Sequence, residues 1–449
     1  MQRYAGVDWA SEKHDVLVQE GGGEQVLAAT FTHDERGLSA LGNTLVRLGV
    51  VLVAIERPDG LLIERLLDAG LRVLAIHPNQ VAAARPRFRA SGGKSDGFDA
   101  FVLCELARTD HHRFRVLVAD SDQTKALRAL SRAREDLVQA RVQLANQLRA
   151  ELERFWPAGA KIFAEVDSPI GLAFLERYPS PSDARGLGEK RLAAFLARHG
   201  YSGRKTTAQL LAKLRDAPQG RAGDAEIEAR RAIVHALVAA LRPIVAKITE
   251  LTSEIAHRVR AHPDGHVFLS LFRDPKSVVC AAALLSEIGD CRARYRSAEA
   301  LAADAGMSPV AVESGKRKVA CFRRGCDHRL RAAMSTLADA TRHWHPWAAD
   351  RYATARARGQ DHQRAIRTLG RAWCRVLWRC WQDGVAYDPD RHHGLQQHIA
   401  VTIPDGSSPR LDLKATQRMA VAAVTRRAAR SAELEALDGK PTSATNTEG

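Results

Sequence analysis

Residues 4–15, YAGVDWASEKHD, decide how the amino-terminal part of this sequence folds. A short apolar run leads to Asp8, and the chain then turns through small and polar residues before a second apolar run begins. A carboxylate is rare in a buried strand, because burial without a partner removes its hydration. Asp8 therefore raises the question of which other groups in the chain it meets.

Length and charge limit the class of protein. The chain has 449 residues and a formal net charge of +15. This length predicts two or three domains, and a surplus of Lys and Arg is typical of proteins that bind nucleic acid. An anionic membrane is the alternative partner, but we find no lipidation motif, no signal-peptide layout and no apolar run near ~18 residues. The seven scattered cysteines fit reduced thiols, and we expect a cytoplasmic protein.

Residues 1–115 show the alternation of strands and helices expected of an α/β domain. The segments RYAGVDW, HDVLVQE and EQVLAATFTH predict a three-strand meander. Helical spacing in ERGLSALGNTLVRLG, a buried strand in VVLVAIE, a helix in GLLIERLLDAG and a strand in RVLAIHP follow. This order predicts a mixed sheet covered by helices.

Residues 116–262 are predicted to be mainly helical. Apolar residues recur at helical spacing in two stripes, which are Leu130, Leu137, Leu144, Leu148, Leu152 and Phe155, then Leu237, Leu241, Ile244, Ile248, Leu251 and Ile255. The second stripe is a heptad seam that Pro243 should kink or weaken. The two helices can pair as an antiparallel coiled-coil arm, form an oligomer interface or pack within one chain. We assign no chemistry to the basic insert at residues 180–220.

The remaining sequence has two parts. Residues 263–392 are predicted to be mainly helical, and they are basic and rich in Trp. The Trp side chains among these basic residues can stack on bases or pack in a helical core, and packing is favoured. Residues 393–449 are predicted to form a largely disordered tail, because the segment is polar at its end and lacks apolar periodicity.

Three further carboxylates are candidates to meet Asp8. Glu56 ends the strand VVLVAIE, and Asp96 and Asp99 open the helix in KSDGFDAFVLCELA, where residues three apart share one face. In an RNase H-like layout the first strand is central, the fourth lies beside it, and the last helix crosses their carboxyl ends. Four carboxylates brought together there require cations, and their hard oxygens suit Mg²⁺. Two such ions would align the oxygens of phosphoryl transfer.

Each carboxylate also has a structural interpretation. Asp96 could cap a helix with Asp99 in its first turn. Asp8 could end a strand, and Glu56 could pair with Arg57. The occurrence of all four in this order, in an α/β domain of a basic chain, favours the metal site.

The segments GVDWASEKHD, AIERPDG and KSDGFDA resemble the three acidic motifs of the DEDD-type insertion-sequence transposases, whose amino-terminal domain is similar to the Holliday-junction resolvase RuvC. The second half agrees, since EIGD, AGMSP, SGK and GCDHRLR resemble that family's carboxyl-terminal domain. The resemblance implies a RuvC-like, RNase H-fold domain over residues 1–115 and a helical, coiled-coil region over residues 116–262. It implies a carboxyl-terminal transposase domain over residues 263–392.

The resemblance also implies a nucleophile. Ser314 in VESGK matches the serine that forms a covalent link to a DNA phosphate in this family, although Ser-Gly before a basic run is otherwise an ordinary turn. A serine hydroxyl needs a base or a metal nearby to become a good nucleophile. Cations that would hold the DNA backbone surround it in the sequence, namely Lys316, Arg317, Lys318, Arg323, Arg324, Arg329 and Arg331.

Partners follow from the same resemblance. It implies DNA as substrate, a structured guide RNA, and a homo-oligomer, dimer or tetramer, in which carboxylates and serine of different subunits form composite sites. One departure concerns the family's glycine-rich PGIG turn, which FRDPKS replaces here. Lys276 can still meet a phosphate, but the close backbone approach that glycine permits is lost.

These features together predict a DNA transposase or recombinase that uses Mg²⁺ and a serine. The first alternative is a metal-dependent junction resolvase or nuclease without covalent serine chemistry. The second is a nucleic-acid-binding relative without catalysis. A zinc site at Cys321, Cys326 and His328 is disfavoured, because the sequence offers no convincing second ligand pair.

Overall fold

A five-stranded mixed sheet forms the amino-terminal part of the protein in the computed structural model, which describes residues 2–56, 60–89, 95–114, 116–218, 220, 222–274, 277–314 and 317–391. The strands are β1 (Arg3–Trp9), β2 (Lys13–Glu20), β3 (Gln25–Thr32), β4 (Val50–Ile55) and β5 (Val73–Ala75). Their order is β3-β2-β1-β4-β5. Strand β1 is antiparallel to β2 and parallel to β4. The predicted meander and the mixed sheet are confirmed.

Helices cover both faces of this sheet. They are α1 (Glu35–Arg47), α2 (Leu61–Asp68), α3 (Pro78–Phe88) and α4 (Asp96–Thr109). On one face Val7 and Ile55 pack with Leu41 of α1 and Leu66 of α2. On the other face Tyr4 and Ala54 pack with α4. Helix α3 was not expected from the sequence. Its Val81 is buried, and Ala84 and Phe88 are partly buried against the same core.

Two long helices, α5 (Asp122–Phe155) and α11 (Asp224–Ala261), pack against each other in the middle of the chain. Between them lie α6 (Pro157–Lys161), α7 (Pro169–Arg177), α8 (Pro181–Ala184), α9 (Glu189–Arg198) and α10 (Thr207–Arg215). These short helices share a core with the ends of α5 and α11, in which Trp156, Phe174 and Leu192 are buried. The basic insert is therefore a folded helical unit.

Helix α11 runs without interruption through Pro243, whose side chain is exposed. A proline inside a helix removes one backbone hydrogen bond. The buried seam residues Leu241 and Ile248 lie on either side of it. The expected weakening at Pro243 therefore does not end the helix.

Helix α11 also corrects the expectation that the chain lacks a long apolar run. It contains an 18-residue window with a mean hydropathy of 1.6, which is long and apolar enough to cross a membrane by length and composition. Val234, Val238 and Leu241 are buried against the neighbouring helices. The core helix of a folded protein meets the same criterion, so the window alone is weak evidence for a membrane span.

The last part is helical around a core that contains Trp373 and Trp381, both fully buried. It comprises α12 (Gly265–Leu269), α13 (Val278–Ile288), α14 (Ala298–Asp304), α15 (His328–Thr341), α16 (Pro346–Ala357), α17 (His362–Asp383) and a hairpin of β6 (Val310–Ser314) and β7 (Arg317–Cys321). The indole N–H groups of Trp373 and Trp381 donate to Thr341 Oγ1 and the Gly289 carbonyl. These two Trp side chains are core residues. The predicted tail, residues 393–449, lies outside the described residues.

Candidate active site

Two carboxylates lie side by side at one edge of the sheet. Strands β1 and β4 are parallel neighbours, and Val7 is paired with Ile55. The residue after Val7 is Asp8, and the residue after Ile55 is Glu56. These two acidic residues therefore lie at the same edge of the sheet. Side chains alternate along a strand, and Tyr4 and Ala54 face α4. Asp8 and Glu56 therefore lie on the α4 face as well.

Helix α4 brings the third carboxylate to this edge. Ser95 caps the helix, since its Oγ accepts a hydrogen bond from the Phe98 backbone N–H at 3.3 Å. Gly6 permits a close approach, because a Cβ at this residue would lie 2.0 Å from the Ala100 carbonyl oxygen. This contact sets the first turn of α4 over the carboxyl end of β1. Asp99 is 2% exposed there, whereas Asp96 is exposed.

Arg85 of α3 joins two of these carboxylates. Its Nε donates to Asp99 Oδ1 at 2.7 Å and its Nη2 donates to Asp99 Oδ2 at 2.9 Å. The same Nη2 lies 3.9 Å from Glu56 Oε1. The guanidinium thus occupies the space between Glu56 and Asp99. Sequence reasoning missed this residue, since the segment RPRFRA shows a basic run but no spacing that links Arg85 to a carboxylate.

The side chains at this edge are of the chemical type that binds magnesium. Asp8, Glu56 and Asp99 supply carboxylate oxygens to one edge, and hard oxygen ligands are those that Mg²⁺ prefers. The charge of Arg85 between two of them indicates that this edge requires a cation. Within the described ranges, no three acidic, His or Cys side chains lie close enough together to hold a metal in this arrangement. The carboxylate ligands are therefore of a type that suits the ion. In this arrangement both oxygens of Asp99 are engaged by Arg85.

Ser314 ends β6 and is exposed. It pairs with Arg317 across the hairpin, and alternation places it on the same face as Val310 and Val312. Val312 is 49% exposed. This two-stranded hairpin lies within the part of the chain that the sequence predicts to be mainly helical. The alternation of Val310 and Val312 with other residues in VAVES is the signal for a short strand.

Two arginines flank an aromatic ring at the base of this hairpin. The guanidinium carbons of Arg331 and Arg367 lie 4.6 Å and 4.9 Å from the Phe322 ring centroid, and the ring is 48% exposed. Burial and the charge of Arg331 lower the pKa of Arg367, although Asp361 opposes this effect. Neither arginine forms an ion pair with a carboxylate among the described residues. Phe322 and Arg367 were not identified from the sequence, because α17 brings Arg367 here from a distant segment.

The other predicted cations have different surroundings. Arg329 bonds Glu135 and Asp136 of α5 at 2.8 Å each, so its charge is offset within the chain. Arg323 donates to the Ser308 carbonyl at 3.1 Å, and Arg324 is exposed. Four predicted cations cannot be placed in this way. Lys276 and Lys316 lie outside the described residues, as do the side chains of Arg317 and Lys318.

The chain thus combines an α/β sheet that carries carboxylates at one edge with a helical part that carries an exposed serine on a hairpin. Two family profiles match the chain. One, described as a transposase of the DEDD type of IS110, covers residues 5–157, and the other, described as the transposase family of IS116, IS110 and IS902, covers residues 277–353. The chain belongs to this IS110 family of transposases. The first match contains all four predicted carboxylates and the second contains Ser314.

Relatives match across most of their length. The product named as a candidate mini-circle transposase for IS117 in Streptomyces coelicolor is 32% identical over 416 residues, which cover 86% of this chain and 96% of the relative. The 42 kDa protein of IS900 from Mycobacterium paratuberculosis is 28% identical over 86% of this chain and 97% of that protein. The 43.6 kDa protein of IS110 from Streptomyces coelicolor is 26% identical over 88% of this chain and 97% of that protein. Both halves of the chain therefore belong to one shared architecture.

Proposed function

We propose that this insertion-sequence transposase breaks and rejoins DNA with a magnesium-bound carboxylate site and a covalent serine intermediate. The observation that carries the proposal is the common edge of Asp8, Glu56 and Asp99, formed by the β1–β4 register and the contact between Gly6 and α4. The strand order with β1 central and α4 across it supports an RNase H-like, RuvC-like fold for residues 1–115.

The carboxylates act as ligands in this proposal. Asp8, Glu56 and Asp99 hold the ions, and Asp96, exposed in the first turn of α4, completes the set. Bound magnesium, one ion or two, supplies positive charge that stabilises the phosphoryl group during transfer. The buried position of Asp99 keeps its oxygens at a fixed place relative to β1.

Ser314 acts as the nucleophile. Its Oγ attacks a DNA phosphorus, a bond from that phosphorus to an oxygen of the adjoining nucleotide breaks, and a deoxyribose hydroxyl leaves. A base takes the proton of the serine, and the leaving deoxyribose oxygen takes up a proton as its bond to phosphorus breaks. The exposed position of Ser314 on the hairpin supports this role, because a nucleophile for a duplex must reach the phosphate backbone.

Cations near the hairpin hold the DNA. We assign this role to Arg323, Arg324 and Arg331, and we retain Lys276, Lys316, Arg317 and Lys318 from the sequence. Arg367 and Phe322 extend the set, since the two guanidiniums of Arg331 and Arg367 lie together without a carboxylate partner in the described part of the chain. Arg329 instead joins α15 to α5.

A guide RNA and an oligomer complete the proposal. The net charge of +15 suits binding of more than one nucleic acid. The paired helices α5 and α11 offer a long surface on which Val142 and Ile233 are 44% and 45% exposed, which supports a coiled-coil contact between subunits. We further propose that the protein acts in the cytoplasm.

A covalent-trapping assay tests the serine and the carboxylates together. Full-length protein is incubated with element-end DNA, Mg²⁺ and RNA encoded beside the gene, and it is resolved on a denaturing gel. We expect an adduct with the wild type and none with Ser314→Ala or Asp8→Asn. DNA binding by Asp8→Asn should remain near the wild-type level, because one carboxylate near the metal adds no attraction for phosphate.

Controls separate the alternatives. Ser335→Ala and Asp68→Asn remove a helical serine and an exposed aspartate outside the site, and both should keep the adduct. Cleavage by Ser314→Ala without any adduct would establish a metal-dependent nuclease. Binding without cleavage by the wild type would establish the non-catalytic alternative.

A further inference from the structure

Arg85 is a cation bound to the carboxylate edge. Its side chain is 26% exposed, and that of Asp99 is 3% exposed. A bidentate pair of this kind is stronger and more specific in geometry than a single contact. The buried carboxylate of Asp99 therefore has its charge compensated by Arg85 in the absence of any ion.

A metal ion at the same edge would change this pairing. Asp99 can bind an ion only through the two oxygens that Arg85 already engages at 2.7 and 2.9 Å. A guanidinium and a divalent cation next to one carboxylate also repel each other. Binding of the ion and the bidentate pairing are thus in competition for Asp99.

We propose that Arg85 is a positioning residue that occupies the position of the metal before an ion binds. It fixes Asp99 and compensates the charge of that carboxylate until magnesium displaces it. This inference rests on the proposed metal site and adds its regulation. It explains how the buried carboxylate of Asp99 remains paired in the folded protein before an ion binds.

Arg87 provides a matched control on the same helix. It lies two residues further on and contacts Asp110 Oδ2 at 3.3 Å, away from Glu56 and Asp99. Its side chain is 58% exposed. Replacing Arg87 removes the same charge from α3 without changing the pairing of Asp99.

The test measures binding of Mn²⁺ to full-length protein without nucleic acid. The probe is Mn²⁺ followed by electron paramagnetic resonance, together with the thermal midpoint of unfolding at increasing Mn²⁺. The variants are Arg85→Gln, Arg85→Lys, Arg87→Gln and Asp8→Asn. Loss of the Arg85 charge removes its repulsion of a divalent cation beside the same carboxylate and frees both oxygens of Asp99. We therefore expect Arg85→Gln to bind Mn²⁺ about tenfold tighter or more.

Thermal midpoints give an independent readout. Without metal, Arg85→Gln should unfold at a lower temperature than the wild type, because Asp99 is then buried without its partner. Mn²⁺ should restore more of that loss in Arg85→Gln than it adds to the wild type. Arg85→Lys keeps the charge but not the forked geometry, so its affinity should lie between the two. This variant carries the test if Arg85→Gln does not fold.

Each outcome has a defined meaning. Tighter Mn²⁺ binding by Arg85→Gln and unchanged binding by Arg87→Gln support the displacement. Equal or weaker binding by Arg85→Gln, with binding lost in Asp8→Asn, overturns the role of Arg85 while the metal site stands. An absence of Mn²⁺ binding in the wild type and in every variant overturns the metal site and this inference with it.

Discussion

His14 illustrates how a single residue links the fold to pH. Its side chain is fully buried, and its Nε2 shares a hydrogen bond of 2.8 Å with Nδ1 of His33. Burial and the charge of His33 lower the pKa of His14 from 6.5 to about 4, although Asp15 opposes the change. The neutral ring is therefore the form that belongs to the folded sheet.

The sign of this shift predicts acid sensitivity. The folded pKa lies below the unfolded value, so the unfolded chain gains the proton first and stability falls as pH drops from 6.5 towards about 4. The loss is about 3 kcal/mol when the whole shift is expressed. Urea unfolding at several pH values measures it. His14→Gln should flatten the dependence, and an equally steep profile in that variant would contradict the assignment.

At the scale of elements, the packing of α4 on β1 positions the carboxylates. Gly6 and the Ala100 carbonyl are in direct backbone contact, so the helix has no room for a side chain on the strand at this point. Asp8 lies two residues after Gly6, and Asp99 directly precedes Ala100, so the same contact positions both carboxylates. The distance between strand and helix is thus a property on which both stability and the candidate site depend.

Gly6→Ala should disturb both properties. A Cβ 2.0 Å from a carbonyl oxygen must displace the helix, and overpacking of this kind costs about 1–3 kcal/mol. We expect a lower free energy of unfolding in denaturant and weaker strand cleavage. Gly22→Ala is the control, since a Cβ there meets nothing within 4 Å. Wild-type stability in Gly6→Ala would show that α4 can move without cost.

At the scale of the whole molecule, the long helices connect separate cores. The amino-terminal end of α5 contributes Leu127 to the last core, and its carboxyl-terminal end contributes Leu152 to the middle core. Arg132 of α5 binds Glu287 of α13 through two hydrogen bonds, at 2.9 and 2.7 Å. The domain limits expected at residues 116 and 262 remain predictions, because the helices that start and end near them take part in both cores.

The net charge predicts strongly salt-dependent DNA binding. Each phosphate neutralised by Lys or Arg releases counterions, which lowers log K by about 0.9 per unit of log salt. Replacing both Arg331 and Arg367 by Gln should reduce that slope by about two. Arg379→Gln is the control, because this residue of α17 pairs with Asp383 at 2.7 Å. Fluorescence anisotropy with duplex DNA gives the slopes, and equal slopes would remove the pair from the interface.

The sequence by itself determined the elements with strong local signals. The β1–β2–β3 meander, β4 and α4 followed from apolar periodicity and turn residues, and the acidic motifs identified the transposase family that the comparisons show. The hairpin of β6 and β7 carried a period-two signal that the basic run obscured. Helix α3 packs Val81, Ala84 and Phe88 on the core, but the Arg and Pro residues among them obscured this spacing in the sequence.

Only the tertiary structure decided which charges meet. Arg85 reaches Asp99 and Glu56 because α3 packs beside α4, and Arg367 reaches Phe322 and Arg331 because α17 folds back on α15. Arg329 looked like a DNA ligand in the sequence and pairs with α5 in the structure. Such pairings depend on contacts between residues far apart in the chain. Local spacing fixes the face on which a side chain lies, whereas its partner is set by the packing of whole elements.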